Sequence, residues 1–223
     1  MKYTIAIVDD HPLFIEGFKS YLSLNEKIQG IKTALDGQQF IDMLSTTYEP
    51  NIVFVDILMP ILNGIETTEY IKTYYPKVKV IALSSLESIE HVEKMIDAGV
   101  DGYLLKESTP QEIDKAIDAV MSNNNYFSNK ILLSLSKKTV IEKGGTGRGI
   151  HQVPLSSRER EVLAMLCKGC GRREIAGKLN ISERTIDKHK ENILAKTGCR
   201  NLIHLVVHSI KNELVMIDSL LWY

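Results

Sequence analysis

Asn51-Ile52-Val53-Phe54-Val55-Asp56-Ile57-Leu58-Met59-Pro60-Ile61-Leu62-Asn63-Gly64 is the stretch from which the fold can be read. Ile52 to Val55 is a short β-branched and aromatic run bounded by turn formers, the pattern of a strand covered on both faces. Asp56 therefore emerges at the carboxyl end of that strand. In open parallel sheets this edge holds ligands and chemistry, whereas a carboxylate inside an apolar strand would carry a desolvation cost of several kcal/mol. Taken alone, Asp56 is equally well explained as an acid capping the next turn.

The rest of the first half favours chemistry. Tyr3 to Val8 is a second apolar strand, ending in Asp9 and Asp10; Val78 to Leu83 ends in Ser84 and Ser85, and Gly102 to Leu105 ends in Lys106. Acids, a hydroxyl and an ammonium thus arrive at one edge of a sheet. Adjacent carboxylates call for a cation, and a hard divalent ion with oxygen ligands, Mg²⁺ above all, suits them. With Mg²⁺, a hydroxyl and a lysine around it, Asp56 is equipped to attack phosphorus and become an aspartyl phosphate.

Over about residues 1–121 the chain resembles the receiver domain of bacterial two-component response regulators. The likeness rests on Asp9-Asp10, on Asp56-x-x-Met59-Pro60-x-x-x-Gly64, and on Ser84, Tyr103 and Lys106, in order and at the expected strand ends. It implies phosphoryl transfer from a sensor histidine kinase, or from small phosphodonors, to Asp56. It further implies Mg²⁺ held by Asp10, Asp56 and the Leu58 carbonyl with Asp9 close by, phosphoryl oxygens held by Ser84 and Lys106, and Tyr103 as an aromatic switch. Two departures bear on this. Leu58 and Leu86 stand where polar side chains of some relatives place the attacking water, so self-dephosphorylation is expected to be slow. Glu107 follows Lys106 where relatives often have proline with a cis bond, so the geometry of that peptide stays open.

A length of 223 residues and 44% hydrophobic content suit two small domains. Net charge is −1, but residues 1–121 hold 10 Lys and no Arg against 19 acids, net −9, whereas 122–223 hold 17 Lys+Arg against 9 acids, net +8. Signalling and nucleic-acid binding are thus divided between the halves. No apolar run approaches the ~20 residues of a membrane span, and no secretory segment is evident, so a cytoplasmic protein is expected. Cys167-x-x-Cys170 lacks a second paired set of zinc ligands, and with Cys199 it is read as ordinary reduced thiols.

In order, helices are expected over Pro12–Leu22, with Leu13, Phe14, Gly17, Phe18 and Leu22 as its apolar positions, over Gly37–Thr46, after the Pro60 and Gly64 break through Ile71, and over Ile89–Ala98 and Pro110–Met121, with a weak strand at Ile31–Leu35. Alternation of strand and helix makes a doubly wound parallel sheet of five strands. Residues 122–153 read as a linker: an Asn run, a short helical pattern over 129–138, then Gly144-Gly145-Thr146-Gly147-Arg148-Gly149, which lacks the Gly-Lys-Ser/Thr and leading strand of a phosphate loop.

The second domain, 154–216 with a tail at 217–223, is all-α. Ser156 and Glu159 form a capping-box signature before a helix carrying Val162, Leu163 and Leu166. Arg172–Leu179 is a second helix, Ser182 caps a third that Gly198 ends, and Asn201–Leu214 is a fourth. Two helices joined by so tight a turn, the latter basic, make a helix-turn-helix. The segments Leu155–Leu163, Glu174–Ala176, Ile181-Ser182, Thr185–His189 and Lys196–Gly198 resemble the LuxR-type DNA-binding domain, and both domains together resemble the NarL/FixJ group. That likeness implies a third helix in the major groove of double-stranded DNA, a fourth pairing in a homodimer, and inverted half-sites. Arg184, Lys188 and Lys190 are the expected DNA contacts, with Arg172, Arg173 and Lys196 as phosphate contacts. Asp187, where relatives commonly have a basic residue, and Gly171-Arg172-Arg173, where they have Ser/Thr-Asn-Lys, are departures; Asp187 can repel phosphate or accept from cytosine N4.

The expected function is a transcription regulator whose DNA binding is controlled by Asp56 phosphorylation. By the resemblance the switch is either release of a masked recognition helix or dimerisation; the sequence does not choose between them, although the −9 and +8 halves lean toward masking. A regulator indifferent to phosphorylation is the alternative. A haloacid-dehalogenase-like phosphohydrolase wants a carboxylate at the position of Leu58.

Overall fold

The computed structural model describes residues 2–44, 48–85, 89–128, 131, 155–167, 170–199, 201–212 and 214–215. Leu86, the helix expected over 129–138 except Ile131, the glycine-rich run and the tail at 217–223 lie outside them. The chain divides into two compact units, Met1–Leu132 and Leu133–Tyr223.

In the first unit the order is β1 (Tyr3–Val8), α1 (Pro12–Leu22), β2 (Ile28–Ala34), α2 (Gly37–Met43), β3 (Ile52–Asp56), α3 (Gly64–Tyr74), β4 (Lys79–Ser84), α4 (Ile89–Ala98), β5 (Gly102–Leu105), α5 (Pro110–Met121) and β6 (Tyr126–Phe127). The strands form one parallel sheet in the order β2-β1-β3-β4-β5-β6. Alternate residues of the strands face opposite layers. Ile5, Ile7, Ile52, Phe54, Ile81, Leu83 and Leu104 pack on Ile15, Phe18 and Leu22 of α1 and on Ile113, Ala116, Ile117 and Val120 of α5. Phe18 meets Phe54 edge to face, with centroids 4.9 Å apart, a geometry aromatic pairs prefer. Within α1 the core face is Ile15, Phe18 and Leu22; Leu13, grouped with the apolar stripe by spacing, projects into solvent.

The sheet has six strands where five were expected. Tyr126–Phe127 extends the β5 edge, Gly102 opposite Tyr126 and Tyr103 opposite Phe127. A strand of two residues carries no periodicity, and the Asn run before it looks only like a turn. Asn123 is left-handed at φ 59°, and the Asn125 side-chain amide donates through Nδ2 to the Asp101 carbonyl at 2.9 Å, so the same run turns the chain back along the sheet. That strand falls in the stretch read as linker.

Helix starts are specified locally. The Asn63 side chain accepts from the Ile65 and Glu66 amides while Glu66 accepts from the Asn63 amide, and Thr109 with Glu112 caps α5 in the same reciprocal way. The chain order reverses between β1 and β3, which opens a crevice at their carboxyl ends, the place where ligands bind in sheets of this kind.

The second unit contains α6 (Ser157–Cys167), α7 (Arg172–Leu179), α8 (Glu183–Thr197) and α9 (Leu202–Lys211). Val162, Leu163 and Leu166 of α6 meet Ile175 and Ala176 of α7, Ile186 and Ile193 of α8, and Leu205 of α9. The tight turn uses Asn180 in the left-handed region, at φ 52°, followed by Ser182, whose hydroxyl accepts from the Thr185 amide at 3.1 Å. Gly198, at φ 69°, ends α8. The capping box expected at Ser156 and Glu159 is present in both directions, at 3.2 and 2.7 Å.

Candidate functional site

At the mouth of the β1–β3 crevice, Asp9 is fully buried and Asp56 is 5% exposed. The Lys106 ammonium lies between them, 2.7 Å from Asp9 Oδ2 and 2.9 Å from Asp56 Oδ2. The backbone sets the position of the lysine: its amide donates to the Ser84 carbonyl at 2.8 Å, carrying the β4–β5 pairing one residue further. The Phe14 ring, with its centroid 4.9 Å from the ammonium, shields it from above. Ser84 is buried at the end of β4, next to Asp56's strand. The Ile57 amide donates to Asp56 Oδ1 at 2.7 Å.

Burial raises the Asp56 carboxyl above its ordinary range, and the hydrogen bond and charge of Lys106 pull against that without cancelling it. Burial alone would lower the Lys106 ammonium; its bonds to Asp56 and Asp9 outweigh this and hold it above its usual value. Asp56 is thus an ionisable group short of positive charge, and the surrounding oxygens show where more would fit. Asp9, Asp10, His11 and Asp56 can bring ligand atoms within 4.8 Å of one another. Asp9 Oδ2 and Asp10 Oδ1 are buried and ion-paired, to Lys106 and to His11 Nδ1 at 2.8 Å, but accept no well-aligned hydrogen bond. Carboxylate oxygens with spare acceptor capacity fit a hard divalent cation such as Mg²⁺.

Gly64 has no room for a side chain: a Cβ there would stand 2.1 Å from the Asp56 carbonyl oxygen. Its amide donates to the Ile57 carbonyl at 3.0 Å, folding the Met59-Pro60 loop back under the acceptor. Leu58 is 55% exposed, and its side chain offers no polar group beside Asp56. Tyr103, fully buried, stacks on Phe127 at 6.3 Å with its hydroxyl toward Ser84. Burial pushes that phenol up to about 12. The ring thus lies inward, beneath the end of β4. Among the described residues no peptide bond is cis, Lys106–Glu107 included.

The structure brings together Asp9, Asp10, Asp56 and Lys106. It adds His11 and Phe14, which sequence reasoning passed over although His11 directly follows the acid pair. An aromatic over a lysine many positions away leaves no local signal.

In the second unit the basic residues separate into two kinds. Arg173 and Arg184 are exposed and make no ion pair among the described residues. Lys188, 70% exposed, lies 3.4 Å from Glu191, and Lys190 is also on α8, partly buried. Lys196 instead clamps both oxygens of Glu159, at 2.9 and 2.8 Å. That bond, with the Ser156 amide, holds the Glu159 carboxyl down at about 2 and ties the start of α6 to the end of α8. Arg172 donates to Glu183 at 2.8 Å and to Asp187 at 3.0 Å. The thiols of Cys167 and Cys199 are raised by burial, Cys167 to about 12, so neither is poised as a nucleophile.

Comparison with known proteins agrees with both halves. The model of the response regulator receiver domain matches residues 5–118, and that of bacterial regulatory proteins of the luxR family matches 153–209. The transcriptional regulatory protein DegU of Brevibacillus brevis is 32% identical over 97% of this chain and 96% of its own length. The transcriptional regulatory protein LnrK of Bacillus subtilis is 34% identical over 93% of this chain and 96% of its own. A solved structure of two RcsB dimers bound to two parallel DNAs superposes with a TM-score of 0.57 at 26% identity, covering 95% of this chain and 99% of that one.

Proposed function

The chain belongs to the response regulators that join a receiver domain to a LuxR-type DNA-binding domain, and from that membership we propose a transcription regulator switched by phosphorylation of Asp56. The observation that carries the reading is the Lys106 ammonium set between buried Asp9 and Asp56 at the switch point of the sheet. A sensor histidine kinase or a small phosphodonor supplies the phosphoryl group. An Asp56 oxygen attacks phosphorus, the bond to the donor breaks, and the leaving nitrogen or oxygen takes a proton. Mg²⁺ held by Asp10, Asp56 and the Leu58 carbonyl, with Asp9 beside them, would neutralise charge on the transferring group.

Lys106 exchanges its Asp56 contact for a phosphoryl oxygen, and Ser84 donates to another. Tyr103, buried beside Ser84, passes the change at Ser84 toward the α4 and β5 side. DNA is double-stranded with inverted half-sites, met by a homodimer through α8; Arg184, Lys188 and Lys190 supply the positive face of α8, and Arg173 of α7 adds to it. The protein works in the cytoplasm, in keeping with the finding that no helix among the described residues is long and apolar enough to cross a membrane. The opposite charges of the halves favour masking of α8 until Asp56 is phosphorylated.

The test is phosphoryl incorporation from a small phosphodonor with Mg²⁺. An acyl phosphate, acid-stable and cleaved by hydroxylamine, is expected on the wild type and absent from Asp56→Ala; equal labelling of both would overturn the assignment.

A further inference from the structure

Two charged positions on either side of the helix-turn-helix touch each other. Arg172 stands at the start of α7, and Asp187 stands in the second turn of α8. The Arg172 guanidinium donates through Nε to Glu183 Oε2 at 2.8 Å and through Nη1 to Asp187 Oδ2 at 3.0 Å. All three side chains are about half exposed, so the cluster lies on the surface beside Arg184 and Lys188 rather than in the core.

An acid on the DNA-facing side of a recognition helix repels phosphate unless it is neutralised. Here the guanidinium fork does so and also fixes the carboxylate's orientation. One arginine against two carboxylates still leaves the cluster with one net negative charge. Asp187 Oδ1 accepts no hydrogen bond among the described residues. What remains is a positioned acceptor with residual negative charge on the helix that enters the groove.

Major-groove edges divide sharply against such a group. Guanine presents only acceptors there, thymine an acceptor and a methyl, and adenine a donor next to the N7 acceptor. Cytosine presents its N4 amino group alone. We propose that Asp187, held in place by Arg172, selects cytosine at one position of each operator half-site. Asp187 is then a base-reading residue and Arg172 a positioning residue, acting through Asp187 rather than as a phosphate contact. This rests on the DNA-binding reading above.

The experiment is selection from a randomised duplex library by the full-length protein treated with a small phosphodonor and Mg²⁺, comparing wild type, Asp187→Ala, Asp187→Asn and Arg172→Ala. The pair is exposed, and retained helical circular dichroism checks that each variant is folded. The wild type should enrich cytosine at one position per half-site. Asp187→Ala should lose that preference by about fivefold or more per half-site while preferences elsewhere persist. Asp187→Asn should shift the position toward adenine, whose N6 and N7 an amide can bond together. Arg172→Ala should weaken the same preference and no other. An unchanged preference in Asp187→Ala, or an equal affinity change on every sequence in all variants, would overturn the proposal and leave the cluster a surface ion pair. Failure of the wild type to enrich any site would instead remove the DNA-binding reading, and this proposal with it.

Discussion

Replacing Lys106 with methionine removes the ammonium that lies between two buried carboxylates, and the geometry fixes the size and sign of the effect. At 2.7 and 2.9 Å from Asp9 and Asp56, each contact is worth about 6 kcal/mol of gross attraction at an effective dielectric of about 20. Much of that is cancelled by desolvation of the lysine, whose side chain is 13% exposed, so the net loss expected is about 3–5 kcal/mol, the usual result of breaking a buried pair from one side. The sign with pH is defined. Burial already raises the Asp56 carboxyl in the folded protein, so its penalty is present above that raised value and relieved as pH falls through it. Without Lys106 the value rises further, and the variant's deficit should shrink on acidification. Mg²⁺ should offset the loss as well, since a cation among Asp9, Asp10 and Asp56 no longer competes with an ammonium. Urea unfolding of full-length wild type and Lys106→Met at neutral and at acidic pH, followed by circular dichroism with and without millimolar Mg²⁺, reads all three effects. A loss below about 1 kcal/mol at neutral pH, or an identical Mg²⁺ response in the two proteins, would refute the reasoning.

Gly64→Ala should cost at least about 1–3 kcal/mol, because its Cβ would stand 2.1 Å from backbone of the acceptor residue; a denaturation midpoint equal to wild type would contradict this. Glu159 has a folded value near 2 against 4.5 unfolded, so the stability it contributes is present above about pH 4.5 and is lost as pH falls toward 2. Acid unfolding of the second unit should therefore be less steep in Glu159→Gln than in wild type, as read by circular dichroism. With Leu58 offering no polar group, the phosphoryl on Asp56 should last minutes or longer, and Leu58→Asn should shorten it; decay of the labelled wild type within seconds would count against that.

Much of the first unit was legible because β1, β3, β4 and β5 each announce themselves twice, by an apolar run and by the polar residue that ends it. Those endings placed Asp9, Asp56, Ser84 and Lys106 at the edge. β6 was not legible, since Tyr126–Phe127 is too short for periodicity and pairs only through the β5 edge. Leu13 was misplaced because spacing alone cannot tell which of Leu13 and Ile15 meets the sheet; the phase of Phe18 and Leu22 decides it. In the second unit the helices were legible from their caps at Ser156, Ser182 and Gly198. The lysine and arginine partners were not. Lys196 and Arg172 look alike in sequence to Arg184 and Arg173, and only the fold brings Glu159 to one, and Glu183 and Asp187 to the other.

Control through Asp56 is tested most directly by DNA binding of the full-length protein, with and without a small phosphodonor and Mg²⁺, on fragments selected from genomic DNA, alongside Asp56→Ala. Tighter binding is expected after phosphodonor treatment of the wild type, with no change in Asp56→Ala. Equal binding under all conditions would contradict control through Asp56.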